Sequence, residues 1–116
     1  MIEITTKNKV IYTTVSGKLT TDEINRQFNT VVELIKDWDK IRWYYEMNDF
    51  AGWTLSAFPK DVMESLHYAR RFERIAMIGE NKWQYLMSQV SKVFTSAEIK
   101  YFELSQRDEA MRWIEA

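Results

Sequence analysis

Short β-prone runs alternate along this chain with runs whose apolar residues recur every three or four positions. Two β-prone runs come first, and after them a helical pattern is followed three times by a strand and a further helix. A helix that joins two neighbouring strands returns the chain to the same edge of the sheet, so such strands lie parallel. The alternation therefore predicts one α/β domain over residues 1–116, with an N-terminal β-hairpin, four successive βα turns and a mixed, mostly parallel five-stranded sheet.

Five segments carry the predicted strands, and most are rich in β-branched or aromatic residues. In sequence order they are residues 2–6, 9–16, 41–48, 75–78 and 99–104. The first two are separated by Lys7-Asn8, where Asn tolerates a positive φ, and form the predicted hairpin. Short right-handed crossovers place successive strands side by side, with the first strand antiparallel at an edge of the sheet.

Capping signals and apolar spacing predict four helices. The first follows a Thr-x-x-Glu capping box at residues 20–23 and runs to about Asp37. The second has its N-cap at Ser56, which puts Pro59 in the first turn, where a missing amide costs little. The fourth is capped within residues 105–108. The apolar stripes are Ile24, Phe28, Val31, Val32 and Ile35; Phe58, Val62, Leu66 and Ala69; Trp83, Leu86, Met87, Val90 and Val93; and Ala110, Met111 and Ile114.

The composition excludes several kinds of chemistry. The absence of cysteine excludes disulfides, thiolate metal sites and cysteine nucleophiles, and it agrees with a reducing cytoplasm. His67, the one histidine, stands among Glu64, Arg70 and Arg71 in a pattern typical of a solvated helix face, so we expect neither a metal site nor a cofactor. The scattered charges sum to −1 at pH 7, which argues against nucleic acid as a partner.

The sequence carries no signal for a membrane. Its first residues lack a basic region followed by an apolar run, and no stretch approaches the ~18 apolar residues of a membrane span. We therefore expect a cytoplasmic protein that does not cross a bilayer.

Segment 43–53 holds the leading candidate site, because it ends a predicted strand and enters a predicted loop on the side where open α/β sheets bind ligands. Period-two geometry puts Arg42, Tyr44, Glu46 and Asn48 on one face of that strand. In one interpretation these side chains orient the polar group of a ligand while nearby aromatic rings cover its apolar part. The structural alternative is an Arg–Glu pair that is satisfied within the fold.

Asp49, Gly52 and Trp53 complete the candidate site in the predicted loop. Gly52 permits backbone conformations that would bring the Trp53 ring to the mouth of a cleft, although such a ring also fits a staple against the next helix. Glu46 and Asp49 are the carboxylates available for acid–base catalysis, but they fall on opposite faces of the strand. An ion pair for Glu46 and capping of loop amides by Asp49 are the structural alternatives.

Three stretches of the sequence resemble the SpoIIAA-like proteins. They are Asp49-Phe50-Ala51-Gly52-Trp53, the run from Phe72 to Gly79, and Tyr101-Phe102 followed by Asp108-Glu109-Ala110. That family is related in fold to STAS domains and is sometimes named together with lipid-carrying SEC14 domains, so the resemblance implies four βα turns. STAS antagonists of anti-sigma factors carry an Asp-Ser pair before a helix, with the Ser phosphorylated. No Ser stands next to Asp49, and neither Thr54 nor Ser56 matches that motif.

These features favour a non-enzymatic, STAS-like binding or regulatory module that acts through the loop at 49–53. The alternatives are a SEC14-like carrier of a small apolar ligand and an enzyme that uses Glu46 or Asp49. The expected partner is accordingly an unknown protein or a small apolar ligand. With 15% aromatic residues in a short chain, an uncovered apolar surface also favours a homodimer. The last strand and helix belong to the core, because they carry Ile99, Tyr101, Met111, Trp113 and Ile114.

Overall fold

The computed structural model describes residues 1–18, 20–52, 70–80 and 96–116. The helices predicted from Ser56 and around residues 83–93 lie outside these residues. The elements are β1 (Ile2–Lys7), β2 (Val10–Lys18), α1 (Thr21–Ile35), β3 (Ile41–Gly52), β4 (Phe72–Gly79), β5 (Glu98–Glu103), a short 3-10 turn (Leu104–Gln106) and α2 (Arg107–Glu115).

The five strands form one sheet whose spatial order, β1-β2-β3-β4-β5, is also their order along the chain. β1 pairs antiparallel with β2, and every later pair is parallel. This arrangement confirms the predicted α/β class, the mixed sheet and the antiparallel strand at its edge.

The β1–β2 hairpin turns one residue later than the sequence pattern indicates. Lys7 pairs with Val10, so the two-residue turn is Asn8-Lys9 rather than the predicted Lys7-Asn8. Both turn residues have positive φ, 52° for Asn8 and 64° for Lys9. A turn of this mirror-image type matches the right-handed twist of the strands and favours Gly at its second position. Because lysine stands where glycine is preferred, the sequence pattern did not indicate Asn8-Lys9 as the turn.

Helix α1 begins as its capping box predicts. The amide of Glu23 donates to Thr20 Oγ1 over 3.2 Å, and the amide of Thr20 donates to Glu23 Oε1, also over 3.2 Å. The bond from the Thr20 amide to the Glu23 carboxylate, together with one from the Thr20 hydroxyl, holds the pKa of Glu23 below its usual range. The helix ends at Ile35, two residues before the predicted end, and buries Val31 and Ile35 on the sheet.

Strand β3 is longer than predicted. The sequence indicated a loop from Asp49 onward, but β3 continues through Asp49 to Gly52. It continues because β2 runs on beside it to Lys18 through two register shifts around Gly17, which has a φ of 69°. Bulges of this kind keep a strand paired where polar residues and glycine otherwise indicate its end.

The core is divided between the two faces of the sheet. We call these the α1 face and the α2 face, after the described helix that packs on each. Alternation along the strands assigns the residues. The buried residues of the α1 face are Ile11, Val15, Val31, Ile35, Ile41, Trp43, Tyr45, Met47, Phe72, Ile75 and Met77. Those of the α2 face are Val10, Tyr44, Ala76, Ile78, Phe102, Ala110 and Ile114.

The last strand and helix belong to this core, as predicted. Ile114 is completely buried, and the other four residues named in the prediction are partly buried against the two clusters. The core is therefore built from residues near both ends of the chain, in β1 and β2 and in β5 and α2.

Candidate functional site

A buried carboxylate lies at the centre of the predicted site. Glu46 projects from the middle of β3 onto the α2 face, level with Ile78 near the carboxyl end of β4, and is 7% exposed. Its Oε1 accepts hydrogen bonds of 2.7 Å from the Tyr44 hydroxyl and from Arg107 Nε. Its Oε2 accepts a third bond of 2.7 Å, from Asn48 Nδ2. Both oxygens are thus engaged by side chains of the fold.

The structure brings together three of the four residues that the strand face predicted, namely Tyr44, Glu46 and Asn48. Tyr44 is buried, and burial together with its bond to Glu46 raises the pKa of the phenol well above its ordinary value. The hydroxyl therefore remains a hydrogen-bond donor across the physiological pH range. Asn48 is half-buried and marks the border between this cluster and solvent.

Arg107 completes the cluster, although the sequence analysis did not single it out as a site residue. It is the first residue of α2, which follows the last parallel strand, and its side chain is half exposed. The helix after a strand starts at the strand's carboxyl end, so Arg107 arrives at the same edge of the sheet as Glu46. Because 61 residues separate Arg107 from Glu46 along the chain, no local pattern links them. The topological rule was the one signal that could have predicted their contact.

Arg42, the fourth predicted residue, belongs to another cluster. It begins β3, four residues before Glu46, which is about 13 Å along an extended strand. Its Nε donates to Glu73 Oε1 over 2.7 Å, and its Nη1 donates to the carbonyl of Ile114 over 2.9 Å. This ion pair holds the pKa of Glu73 below its usual range. Arg42 and Glu46 thus stabilise opposite ends of α2, each with a different charged partner.

The aromatic side chains on the other face of β3 lie in the core. Trp43 Nε1 donates to Thr13 Oγ1 over 2.8 Å, and the Tyr45 hydroxyl donates to Gln27 Oε1 over 3.1 Å. Trp43 and Tyr45 are both at least 95% buried. They support the sheet beneath α1, so they do not cover a ligand on the α2 face.

The remaining predicted site residues are placed in part. Asp49 and Gly52 are among the last four residues of β3, the strand that also carries Glu46 and Asn48. Trp53 lies outside the described residues, so its contribution stays a prediction.

Within the described ranges, no group of three or more His, Asp or Glu side chains is arranged to hold a metal ion. Neither of the two described helices has the length and apolar content that a bilayer span requires.

Comparison with known proteins places this arrangement in a family. The family model described as SpoIIAA-like matches residues 10–115, which is nearly the whole chain. The chain belongs to the SpoIIAA-like family.

A solved structure agrees with this assignment. The SpoIIAA-like chain superposes with a TM-score of 0.72 on an uncharacterised protein of the DUF3478 family from Shewanella loihica PV-4, which has a SpoIIAA-like fold. The two sequences are 24% identical, and the match covers 98% of this SpoIIAA-like chain and 92% of the other. Identity at this level shows a shared fold. No curated protein matches the sequence.

Proposed function

We propose that this SpoIIAA-like protein is a non-enzymatic binding or regulatory module whose contact surface is the carboxyl end of β3, from Asn48 to Gly52, continued by Trp53. The observation that supports it is that both carboxylate oxygens of Glu46 accept hydrogen bonds from side chains of the fold. Three donors fix the carboxylate between the middle of β3 and the start of α2, so the part of β3 from which the contact surface extends is held in one position. A fixed surface at the carboxyl ends of parallel strands is where this class of fold binds its partners.

The same hydrogen bonds argue against catalysis by Glu46. A general acid or base must reach a proton on the substrate directly or through one water molecule. Both oxygens of Glu46 are instead occupied by Tyr44, Asn48 and Arg107, and the residue is 7% exposed. A structural ion pair explains this carboxylate more simply than an enzyme mechanism does.

A carrier of an apolar molecule is supported less well. Such a carrier needs an enclosed apolar cavity of several hundred Å³. One cavity lined by described residues, of about 510 Å³, has Lys7, Arg42 and Glu73 in its wall. Another, of about 250 Å³, has Glu23 and Arg26 in its wall. Charged walls of this kind favour a polar or ionic ligand over a purely apolar one.

The proposal is tested by changing one end of β3 and leaving the other end intact. Proteins that co-purify with the tagged chain from its host are identified, and the binding of each purified candidate is then measured directly. We expect Asp49→Asn and Trp53→Ala to weaken the affinity for the true partner by tenfold or more, since anchors at an interface contribute at least this much. Asp39→Asn, the same change at an exposed position two residues before β3, should leave the affinity unchanged.

Stability measurements on the same variants keep the result interpretable. Trp53→Ala should cost under about 1 kcal/mol if the ring lies in a binding surface, whereas loss of a buried Trp costs about 3 to 5 kcal/mol. The proposed surface would be overturned if all three variants bound the partner with the affinity of the parent. It would also be overturned if Trp53→Ala lowered the free energy of unfolding by several kcal/mol.

We also propose that the protein forms a homodimer through strand β1. Among the described strands β1 pairs only with β2, so its outer row of backbone N–H and C=O groups faces away from the sheet. Such an edge is a template for pairing with a second strand. A second copy of β1 would pair there across a two-fold axis, which is the commonest symmetry of soluble oligomers.

A further inference from the structure

A cavity of about 510 Å³ lies at the amino ends of β2 and β3, far from the proposed contact surface. It lies on the α2 face, between the Asn8-Lys9 turn and the last residues of α2. The half-buried ring of Tyr12 contributes apolar surface to its wall, and Val10 and Ile114, which are 5% and 0% exposed, lie behind this wall. A volume of this size is within the range of sites for small organic molecules.

The carboxylates around the cavity already have partners. Glu73 accepts the 2.7 Å bond from Arg42 Nε. Glu115 Oε1 accepts a bond of 2.7 Å from the Tyr12 hydroxyl, and burial and this carboxylate together raise the pKa of Tyr12 to about 12. Arg42 thus offsets the charge of Glu73, whereas the neutral Tyr12 hydroxyl orients the Glu115 carboxylate without offsetting its charge.

Two cations in the wall are not matched. Lys7 and Lys9 flank Asn8, are both exposed, and form no ion pair with any residue in the described part of the chain. Their ammonium groups therefore leave an excess of positive charge on the hairpin side of the cavity. A negative group on a ligand would complete this side.

The backbone of Lys9 is held in a conformation that is unfavourable for a lysine. Its φ of 64° lies in the left-handed region, which disfavours every side chain with a Cβ, and Gly is the preferred residue at this turn position. The turn is nevertheless fixed, since the carbonyl of Lys9 accepts a 3.3 Å bond from the amide of Arg42. Residues kept in such unfavourable conformations concentrate at functional sites.

We propose that this cavity binds a small organic monoanion with an apolar body. The negative group lies between Lys7 and Lys9, and the apolar body packs against the ring of Tyr12. A second negative charge is disfavoured, because Glu73 and Glu115 occupy the remaining wall. This site uses other residues and the other end of the strands than the proposed contact surface does, so each proposal can fail without the other.

The first experiment compares three probes that share one ring system and differ in charge: naphthoate, naphthalenemethanol and naphthylmethylamine. Affinities are measured by calorimetry on the full chain, and the site is located by amide NMR shifts. We expect naphthoate to bind most tightly, to shift the amides of residues 7–12 and 114–116, and to weaken with added salt, since exposed lysines are screened. The neutral alcohol should bind less tightly and the cationic amine least.

The second experiment removes the cations. Lys9→Gly suits the turn, so this variant should be at least as stable as the parent while it loses affinity for naphthoate. Combined with Lys7→Gln, the loss should reach about tenfold, with the affinity for naphthalenemethanol unchanged. The matched control is Lys18→Gln, which removes an exposed lysine at the other end of β2 and should not affect binding.

Three results would overturn the proposal. The first is naphthoate binding no more tightly than the alcohol or the amine, which includes no binding of any probe at millimolar concentration. The second is a set of naphthoate-induced shifts that spares the hairpin turn. The third is a stable Lys7→Gln/Lys9→Gly variant that binds naphthoate as the parent does.

Discussion

Replacing Glu46 by glutamine should lower the free energy of unfolding, although the two side chains have nearly the same size. Glu46→Gln removes the charge but keeps the volume, and it leaves Arg107 without its counter-ion inside a partly buried cluster. We expect a loss of about 2 kcal/mol in the free energy of unfolding, measured by urea titration, since hydrogen bonds to charged groups contribute about 1.5 to 3 kcal/mol. Glu98→Gln, at an exposed position of β5, should change stability by less than about 0.5 kcal/mol. Equal effects of the two substitutions would contradict a structural role for Glu46.

Glu73 should make stability depend on pH in the acidic range. Its hydrogen bond to Arg42 lowers its pKa in the folded protein from the ordinary value of 4.5. The folded state then binds fewer protons than the unfolded state in this range. The stabilisation is therefore present above about pH 4.5 and is lost as the pH falls through the lowered pKa.

The Glu73→Gln variant measures this contribution. Plotted against pH, its unfolding free energy should fall less steeply below pH 4.5 than that of the parent. The difference should stay below about 1 kcal/mol, because the side chains of Arg42 and Glu73 are 23% and 35% exposed. Parallel curves for parent and variant would show that the ion pair does not favour the folded state.

At the scale of the elements, β5 and α2 should be indispensable. Deleting residues 99–116 removes the fifth strand and the helix that covers Ala76 and Ile78 on the α2 face. Exposure of this apolar surface should abolish the cooperative thermal transition, which calorimetry would show as the loss of the unfolding peak. A truncated chain that unfolds cooperatively near the temperature of the parent would contradict the sheet order.

The elements that the sequence predicted well are those with a strong local signal. The capping box defined the start of α1, and the alternation of strands and helices defined the sheet order. Among the details that were wrong are the position of the hairpin turn and the end of β3. Each depends on a backbone conformation that a neighbouring strand imposes, at Lys9 and around Gly17, and single-sequence patterns do not contain that information.

The candidate site was predictable only in part. Alternation along β3 correctly grouped Tyr44, Glu46 and Asn48 on one face. It also included Arg42, because periodicity assigns a face but not a distance, and the partners of Arg42 and Glu46 come from β4 and α2. Long-range pairs of this kind require the fold itself.

At the scale of the whole molecule, the proposed homodimer is tested by sedimentation. Weak dimers with micromolar dissociation constants are largely associated at a chain concentration of about 100 μM. We therefore expect a dimer at that concentration and dissociation on dilution. Met1 and Ser16 exchange both backbone bonds, so the alternating pattern turns the amide of Thr6, two residues before the hairpin turn, toward the outer edge of β1. Replacing Thr6 by proline removes this outer donor and should weaken the dimer. A monomer at all concentrations would exclude this assembly.

The spatial order of the strands has a consequence for biosynthesis. Because β1 to β5 lie side by side in the order in which they are made, each strand that leaves the ribosome finds its neighbour already present. The sheet can grow from one edge during translation, and no strand waits for a distant partner. Until β5 and α2 emerge, β4 is the growing edge, and apolar residues that are buried in the finished fold, such as Ala76 and Ile78, remain uncovered. Premature termination before β5 would therefore release chains that expose the apolar surface of β4, and such chains are natural substrates for chaperones and proteases.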